Sequence, residues 1–235
     1  TVPDEKLQEN ASELAKRWLN KALYNGLAMF QGNLRNIYID EGDFENARRV
    51  ARTAANLGNP AMMLYTGLDC HENGNFEDAF TWFTKAAALG QSESIAELAD
   101  YYYHFYDAKE LRSTIPYDPV KAIGLYRRAA TKNFSDAGYT ALQAAFGYIF
   151  HIGHLPLDWG LIADLTHMAA TKERFMFALP YIGYMRIHGF GVTKNIRFGV
   201  QSLTRVLDEE KRALEEEDRV LFYDITRALT RVALG

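Results

Sequence analysis

Apolar residues return every three or four positions along most of this chain, in runs about a dozen residues long. Leu7, Leu14, Trp18, Leu19 and Ala22 mark one side of a helix expected from Asp4 to about Gln31, and Lys6, Glu13, Lys16 and Arg17 take the other. Ala47, Ala51, Ala54 and Ala55 give a helix over Phe44–Leu57 a small-residue face that lets a second helix approach closely. Phe76, Ala79, Phe80, Phe83, Ala86 and Ala87 line the buried side of a later helix, after an Asn73-Gly74 turn. Gly67 falls in the middle of a helical run, a position tolerated when a neighbouring helix must come close.

The pattern is written twice in one place. Gly42-Asp43-Phe44-Glu45-Asn46-Ala47 returns 32 residues later as Gly74-Asn75-Phe76-Glu77-Asp78-Ala79. Ala54-Ala55-Asn56-Leu57-Gly58 returns at the same spacing as Ala86-Ala87-Ala88-Leu89-Gly90. A helical repeat with a period in the low thirties predicts stacked antiparallel helix pairs, an all-α solenoid. The units expected are Leu34–Gly58, Pro60–Gly90, Ser92–Asn133, Ser135–Lys172 and Phe175–Leu207. Asp118-Pro119 is expected to open a helix, with aspartate as N-cap and proline in the first turn. The chain is thus expected to form one solenoid domain over 1–235: a cap over 1–33, about five repeats over 34–207 and capping helices over 208–235. Caps of such arrays turn a polar outer face to water.

Composition narrows the class. The chain has 235 residues, 48% of them hydrophobic, and a formal net charge of -4. That excludes a general electrostatic attraction to nucleic acid and leaves a local basic patch open. No apolar run approaches the roughly 20 residues needed to span a bilayer. Cys70 is the single cysteine, so no intrachain disulfide can form. Cytoplasm, periplasm and cell surface all suit such a chain. The first residue is Thr1 rather than Met, taken as a processed or trimmed amino end from which a signal peptide could have been removed, so localisation stays open, with a lean toward a periplasmic or exported place over a cytoplasmic one.

The units resemble Sel1-like repeats, relatives of the tetratricopeptide repeat. The third unit carries Asp118-Pro-Val-Lys121-Ala122, then Tyr126 and Ala129-Ala130. The fifth carries Ile182-Gly183, Gly189-Phe-Gly191-Val192 and Asn195. The second carries Gly67, Ala79, Trp82-Phe83, Ala86-Ala87 and Gly90. Asn195 stands where the pattern has aspartate, Gly199 where it has alanine, and the fourth unit lacks a clean Gly-x-Gly-Val turn. The resemblance implies a right-handed superhelix of helix pairs, with the first helix of each pair lining a concave groove. It implies a protein-binding scaffold without catalysis or cofactor. Bacterial proteins of this kind include immunity partners of secreted toxic effectors such as type VI phospholipases, and that is the leading expectation. A general adaptor or host-contact protein is the alternative.

No phosphate loop, nucleophile elbow or paired metal motif is present. Gly189-Phe190-Gly191 has no strand before it, as a phosphate loop requires. His151 and His154 could share a helix face as metal ligands or be unrelated, and no second ligand pair accompanies them. Cys70 reads as a small buried residue rather than a reactive thiol. In the Leu-Gly-x-x-Tyr register, the two middle positions point away from the second helix: Leu68 and Asp69, Asp100 and Tyr101, Tyr184 and Met185. Tyr65 and Glu97 lie one turn earlier, His104 and His188 one turn later. Asp69, Glu97, Asp100, Tyr101, His104, Tyr184 and His188 are therefore the expected groove, suited to a basic, partly apolar partner segment. A plain solvated helix face is the other reading. A hydrolase would need a carboxylate pair, and Asp69 with Glu97 or Asp100 is the one available. The run Tyr101-Tyr102-Tyr103-His104-Phe105-Tyr106 is too bulky for one helix face. Tyr102 is expected in the core. Tyr101, Tyr103 or Tyr106 faces solvent, the loop 107–119 folded back over it, or a partner.

Overall fold

The computed structural model describes residues 4–25, 27, 30–103, 114–132, 136–149, 152–171 and 175–215. Among them are eleven α-helices and no strand. The chain divides into two compact units, Thr1–Tyr117 and Asp118–Gly235. The first holds α1 (Asp4–Tyr24), α2 (Gln31–Asp40), α3 (Phe44–Asn56), α4 (Pro60–Glu72), α5 (Phe76–Ala88) and α6 (Ser92–Tyr103). The second holds α7 (Pro119–Ala130), α8 (Ala137–Ile149), α9 (Trp159–Thr171), α10 (Phe175–His188) and α11 (Ile196–Glu215). Within each unit every helix packs on the next in sequence. The fold class is an all-α solenoid of helix pairs.

The 32-residue period is realised to the residue. Helices α3 and α5 start at Phe44 and Phe76, and α4 and α6 at Pro60 and Ser92. The turns before α3 and α5 superpose in conformation: Gly42 and Gly74 both have φ 76°, which a side chain would strain. Several helix starts are held by short polar side chains that accept orphan amides, though Asn75 before α5 makes no such bond. Asp43 accepts from the Asn46 amide, Asn59 from those of Ala61 and Met62, and Asp118 from that of Lys121. Asn195 accepts from the Phe198 amide at 3.0 Å, so asparagine does there what the repeat's aspartate would do.

Alanine sets the packing distance. Ala47, Ala51, Ala54 and Ala55 of α3 are all buried, against Leu34 of α2 and Met62 and Met63 of α4. In the second unit Ala129, Ala141, Ala144, Ala145 and Ala169 are completely buried. Larger side chains then fill the gaps, Phe83 in the first unit and Tyr126, Ile162 and Leu203 in the second.

Two expectations about the ends change. The outer face of α1 is not wholly polar: Leu14 is 55% exposed and Trp18 63%. The helix instead turns Ser12, Lys16 and Asn20, at i, i+4 spacing, toward α2 and the turn after it. Ser12 Oγ and Lys16 Nζ each donate to the Glu41 carboxylate at 2.8 Å, and Asn20 Nδ2 donates to the Tyr38 hydroxyl at 3.1 Å. Hydrogen bonds to Glu13 and Glu41 hold the Lys16 ammonium above its ordinary pKa. Leu19 and Leu23 carry the apolar contact. At the other end, the boundary expected at 207/208 falls inside α11, which runs unbroken over Ile196–Glu215. Residues 216–235 of the expected cap lie outside the described residues.

Candidate functional site

The first unit carries a cleft of about 690 Å³ between α2, α3 and α4. Its floor includes Ala47 and Ala51, whose small side chains leave the space open. Its walls carry Arg35, Arg48, Arg49, Arg52, Tyr65 and Leu68. The Arg35 guanidinium lies over the Tyr65 ring, 3.7 Å from its centroid, a close cation–π stack. Arg48 Nε donates to Asp69 Oδ1 at 2.7 Å. Arg49 Nε donates to Asn46 Oδ1 at 3.1 Å, and Arg52 Nη2 to Cys70 Sγ at 3.8 Å. Burial pushes the Cys70 thiol up in pKa, against a smaller pull from Arg52, and the side chain is 2% exposed. That is an inert thiol.

The expected groove residues fall into different surroundings. Asp69 does line the cleft, but its carboxylate is engaged by Arg48 of α3, the second helix of the preceding pair. The acidic character expected there is cancelled at this point. Glu97 and Asp100 are half-buried on α6 and each is already engaged in an interaction of its own. The Asp69 carboxylate is thus held in an ion pair with Arg48. His104 lies outside the described residues.

Tyr101 corrects the expectation most clearly. It is 0% exposed, so it cannot touch a partner. Its ring packs edge-on against Phe83 at 5.5 Å, and its hydroxyl meets His71 Nδ1 at 2.7 Å. Tyr102 is buried as expected, edge-on to Phe80 at 5.4 Å. Helix α6 buries two adjacent positions because it meets α4 through Tyr101 and α5 through both, which widens its buried arc. Tyr103 is half-buried, with the Tyr117 ring 6.3 Å away and Ile115 beside it in the chain buried to 3%. Residues 114–117 thus return to α6; residues 104–113 of the run and its loop lie outside the described residues.

Tyr184 and His188 are brought together in the second unit, with ring centroids 4.6 Å apart. Phe190 is stacked between Trp159 at 4.5 Å and His188 at 5.2 Å. This half-exposed stack ties the Gly189–Val192 turn to α9, which accounts for it as packing. His154 is exposed with φ 64°, while His151 lies outside the described residues. Among the described residues no group of three or more His, Cys, Asp or Glu could hold a metal ion. None of the described helices is long and apolar enough to cross a membrane.

Arg48, Arg49 and Arg52 lie on α3, the second helix of its pair and outside the groove register, and Arg35 lies on the first helix, α2, at a position the register did not include. The signal was present: Glu45, Arg48, Arg49 and Arg52 recur at i, i+3, i+4 and i+7 and so form one stripe of α3.

Helix pairs in a 32-residue register, joined by capped turns, define a helical-repeat scaffold. The Sel1 repeat profile matches residues 8–27, 51–91, 92–134 and 181–201, more than half of the chain, and the chain belongs to the Sel1 repeat family. The match enters the segment expected as a cap and passes over 28–50, which holds most of the first expected unit, and over 135–180, which holds the whole of the fourth. A Sel1 repeat protein from Oxalobacter formigenes has a similar fold, with TM-score 0.59 and 22% identity over 83% of this chain and 76% of its own. A protective antigen of uropathogenic Escherichia coli with an SLR fold gives 0.48 and 16% over 94% of this chain and 56% of its own. A Sel1 repeat protein from Klebsiella pneumoniae gives 0.45 and 19% over 83% and 93%. No curated protein matches the chain. Sel1 repeat proteins generally mediate protein–protein interaction, and the family is typically non-catalytic.

Proposed function

We propose that this chain is a non-catalytic scaffold that holds a segment of a partner protein in the cleft between α2, α3 and α4. The observation that carries this is the Arg35–Tyr65 stack on the wall of a cleft of about 690 Å³. The volume is in the range of about 300–1,000 Å³ typical of ligand sites. Tyrosine and arginine are the side chains most enriched where interfaces concentrate their energy. Stacking fixes both before a partner arrives, so less side-chain entropy is lost on binding. Tyr65 is 37% exposed and Leu68 half-buried, so both offer apolar surface without being needed for the core.

The test is co-purification from the native host with the wild-type chain and with Tyr65→Ala/Leu68→Ala. A stoichiometric partner that is lost with the variant, while the variant melts as the wild type does, supports the cleft. Equal recovery by both removes it. The narrower role, neutralising a secreted toxic effector, is the case in which that partner is toxic when expressed alone and harmless beside this chain. A non-toxic partner makes the chain an adaptor.

A further inference from the structure

Resting on the cleft as the binding site, we infer that the segment it takes is acidic, opposite in charge to the basic segment suggested by Asp69, Glu97 and Asp100. Four guanidinium groups line the cleft, and Asp69 neutralises Arg48 alone. Among the described residues, no carboxylate forms an ion pair with Arg35, Arg49 or Arg52. Each of the three is nevertheless held by a neutral group: Arg35 by the Tyr65 face, Arg49 by the Asn46 amide oxygen and Arg52 by the Cys70 sulfur. A guanidinium fixed through one face or one nitrogen still presents other N–H groups, and a carboxylate is the acceptor that fits that planar fork.

Glu45 and Glu72 are the remaining carboxylates of the lining. Both are exposed and neither pairs with these arginines, so they offset charge without occupying the donors. Arg49 and Arg52 lie three positions apart on α3, and Arg35 faces the same cleft from α2. The three therefore suit a segment with more than one Asp or Glu. Tyr65 and Leu68 add a place for an apolar side chain between them. The stack on Tyr65 does not weaken Arg35 as a donor, because cation–π contact uses the face of the guanidinium and hydrogen bonding its edge.

The test uses a random peptide library selected against the intact chain, with the selected sequences then synthesised as free peptides. The expected binders are rich in Asp and Glu with one or more apolar residues. They bind the wild type at least about tenfold more tightly than Arg49→Gln/Arg52→Gln, and added salt weakens them. Both arginines are exposed, so that variant is expected to melt like the wild type; a matching thermal melt is the control. Binders that are neutral or basic yet are lost with Tyr65→Ala overturn the acidic segment and leave the cleft standing. Binders indifferent to Tyr65→Ala and to the arginine pair, or no binders at all, overturn the cleft and the inference together.

Discussion

Arg48 Nε sits 2.7 Å from Asp69 Oδ1, and the same two register positions one repeat later are occupied by Phe80 and Tyr101, with ring centroids 6.2 Å apart. Both residues of the first pair shift by 32 to give the second. One junction between a second helix and the next first helix is therefore closed by an ion pair, and the following one by aromatic packing. The chemistry differs because the burial differs. At the position they share, the Asp69 side chain is 26% exposed, whereas Tyr101 is 0% exposed. An ion pair survives where water still reaches it; a fully buried slot favours rings.

The Arg48–Asp69 pair is expected to contribute little to stability. A double-mutant cycle with Arg48→Ala and Asp69→Ala should give a coupling below about 1 kcal/mol, shrinking as salt is added. Denaturant titration of the four proteins measures it. A coupling of several kcal/mol would mean that the pair is shielded from water.

Tyr101 carries the opposite expectation. Tyr101→Ala empties a slot bounded by Phe83, Phe80 and His71 and should cost about 3–5 kcal/mol. Tyr101→Phe keeps the ring and removes the 2.7 Å contact with His71, at a cost nearer about 1 kcal/mol. Urea unfolding separates the two. A groove tyrosine would give almost no change for either.

His71 makes stability depend on pH. Burial lowers its pKa from 6.5, with a smaller opposing pull from Glu72. The unfolded chain therefore takes up a proton near 6.5 that the folded chain resists, so the unfolded state binds more protons just below that value. Stability should fall as pH drops through 6.5 and keep falling until the folded-state pKa is passed. Glu41 and Asp43 are held below the usual carboxylate range, by Lys16 and Ser12 and by Asn46 respectively, so their contribution is lost only in more acidic solution. Melting temperature followed between about pH 7.5 and 5 should slope downward for the wild type and more weakly for His71→Gln. Equal slopes would remove His71 as the cause.

The repeat was legible because its turns are chemically demanding. Gly42 and Gly74 share a φ that excludes most side chains, and Asp43, Asn59 and Asp118 must each offer an oxygen to an orphan amide. The glycines recur at the repeat spacing, whereas the caps recur only in residue type, since Asn75, 32 residues after Asp43, makes no side-chain cap bond. The orientation of Asp69 and Tyr101 was not legible, since successive helix residues are only about 100° apart and a helix with two neighbours buries a wide arc. Leu14 and Trp18 were misplaced for a related reason. Periodicity locates an apolar stripe, but here Ser12, Lys16 and Asn20 bind Glu41 and Tyr38 and leave Leu14 and Trp18 to water, while Leu19 of the same stripe still packs on the core. Of the cleft, only the α3 stripe of Glu45, Arg48, Arg49 and Arg52 was legible; that Arg35 of α2 and Tyr65 of α4 face it is a tertiary fact with no local signature.

Gly67 tests whether close approach, rather than helix propensity, decides the packing of α4 on α5. By propensity alone, Gly67→Ala should stabilise α4 by about 1 kcal/mol. In this fold an added Cβ would lie 2.6 Å from Phe83 Cε1 and 2.8 Å from its Cδ1. Phe83 is 0% exposed and edge-on to Tyr101, so its ring has no space to withdraw into. Overpacking of that kind costs about 1–3 kcal/mol or more and cancels the propensity gain. Gly67→Ala is therefore expected to lower the unfolding free energy. Adding Phe83→Leu should cost less in the Gly67→Ala background than in the wild type, because the smaller side chain relieves the clash. Denaturant midpoints of the two single variants and the double variant measure both effects. Stabilisation by Gly67→Ala, or strict additivity with Phe83→Leu, would show that α4 and α5 are not in the close contact that sets the 32-residue register.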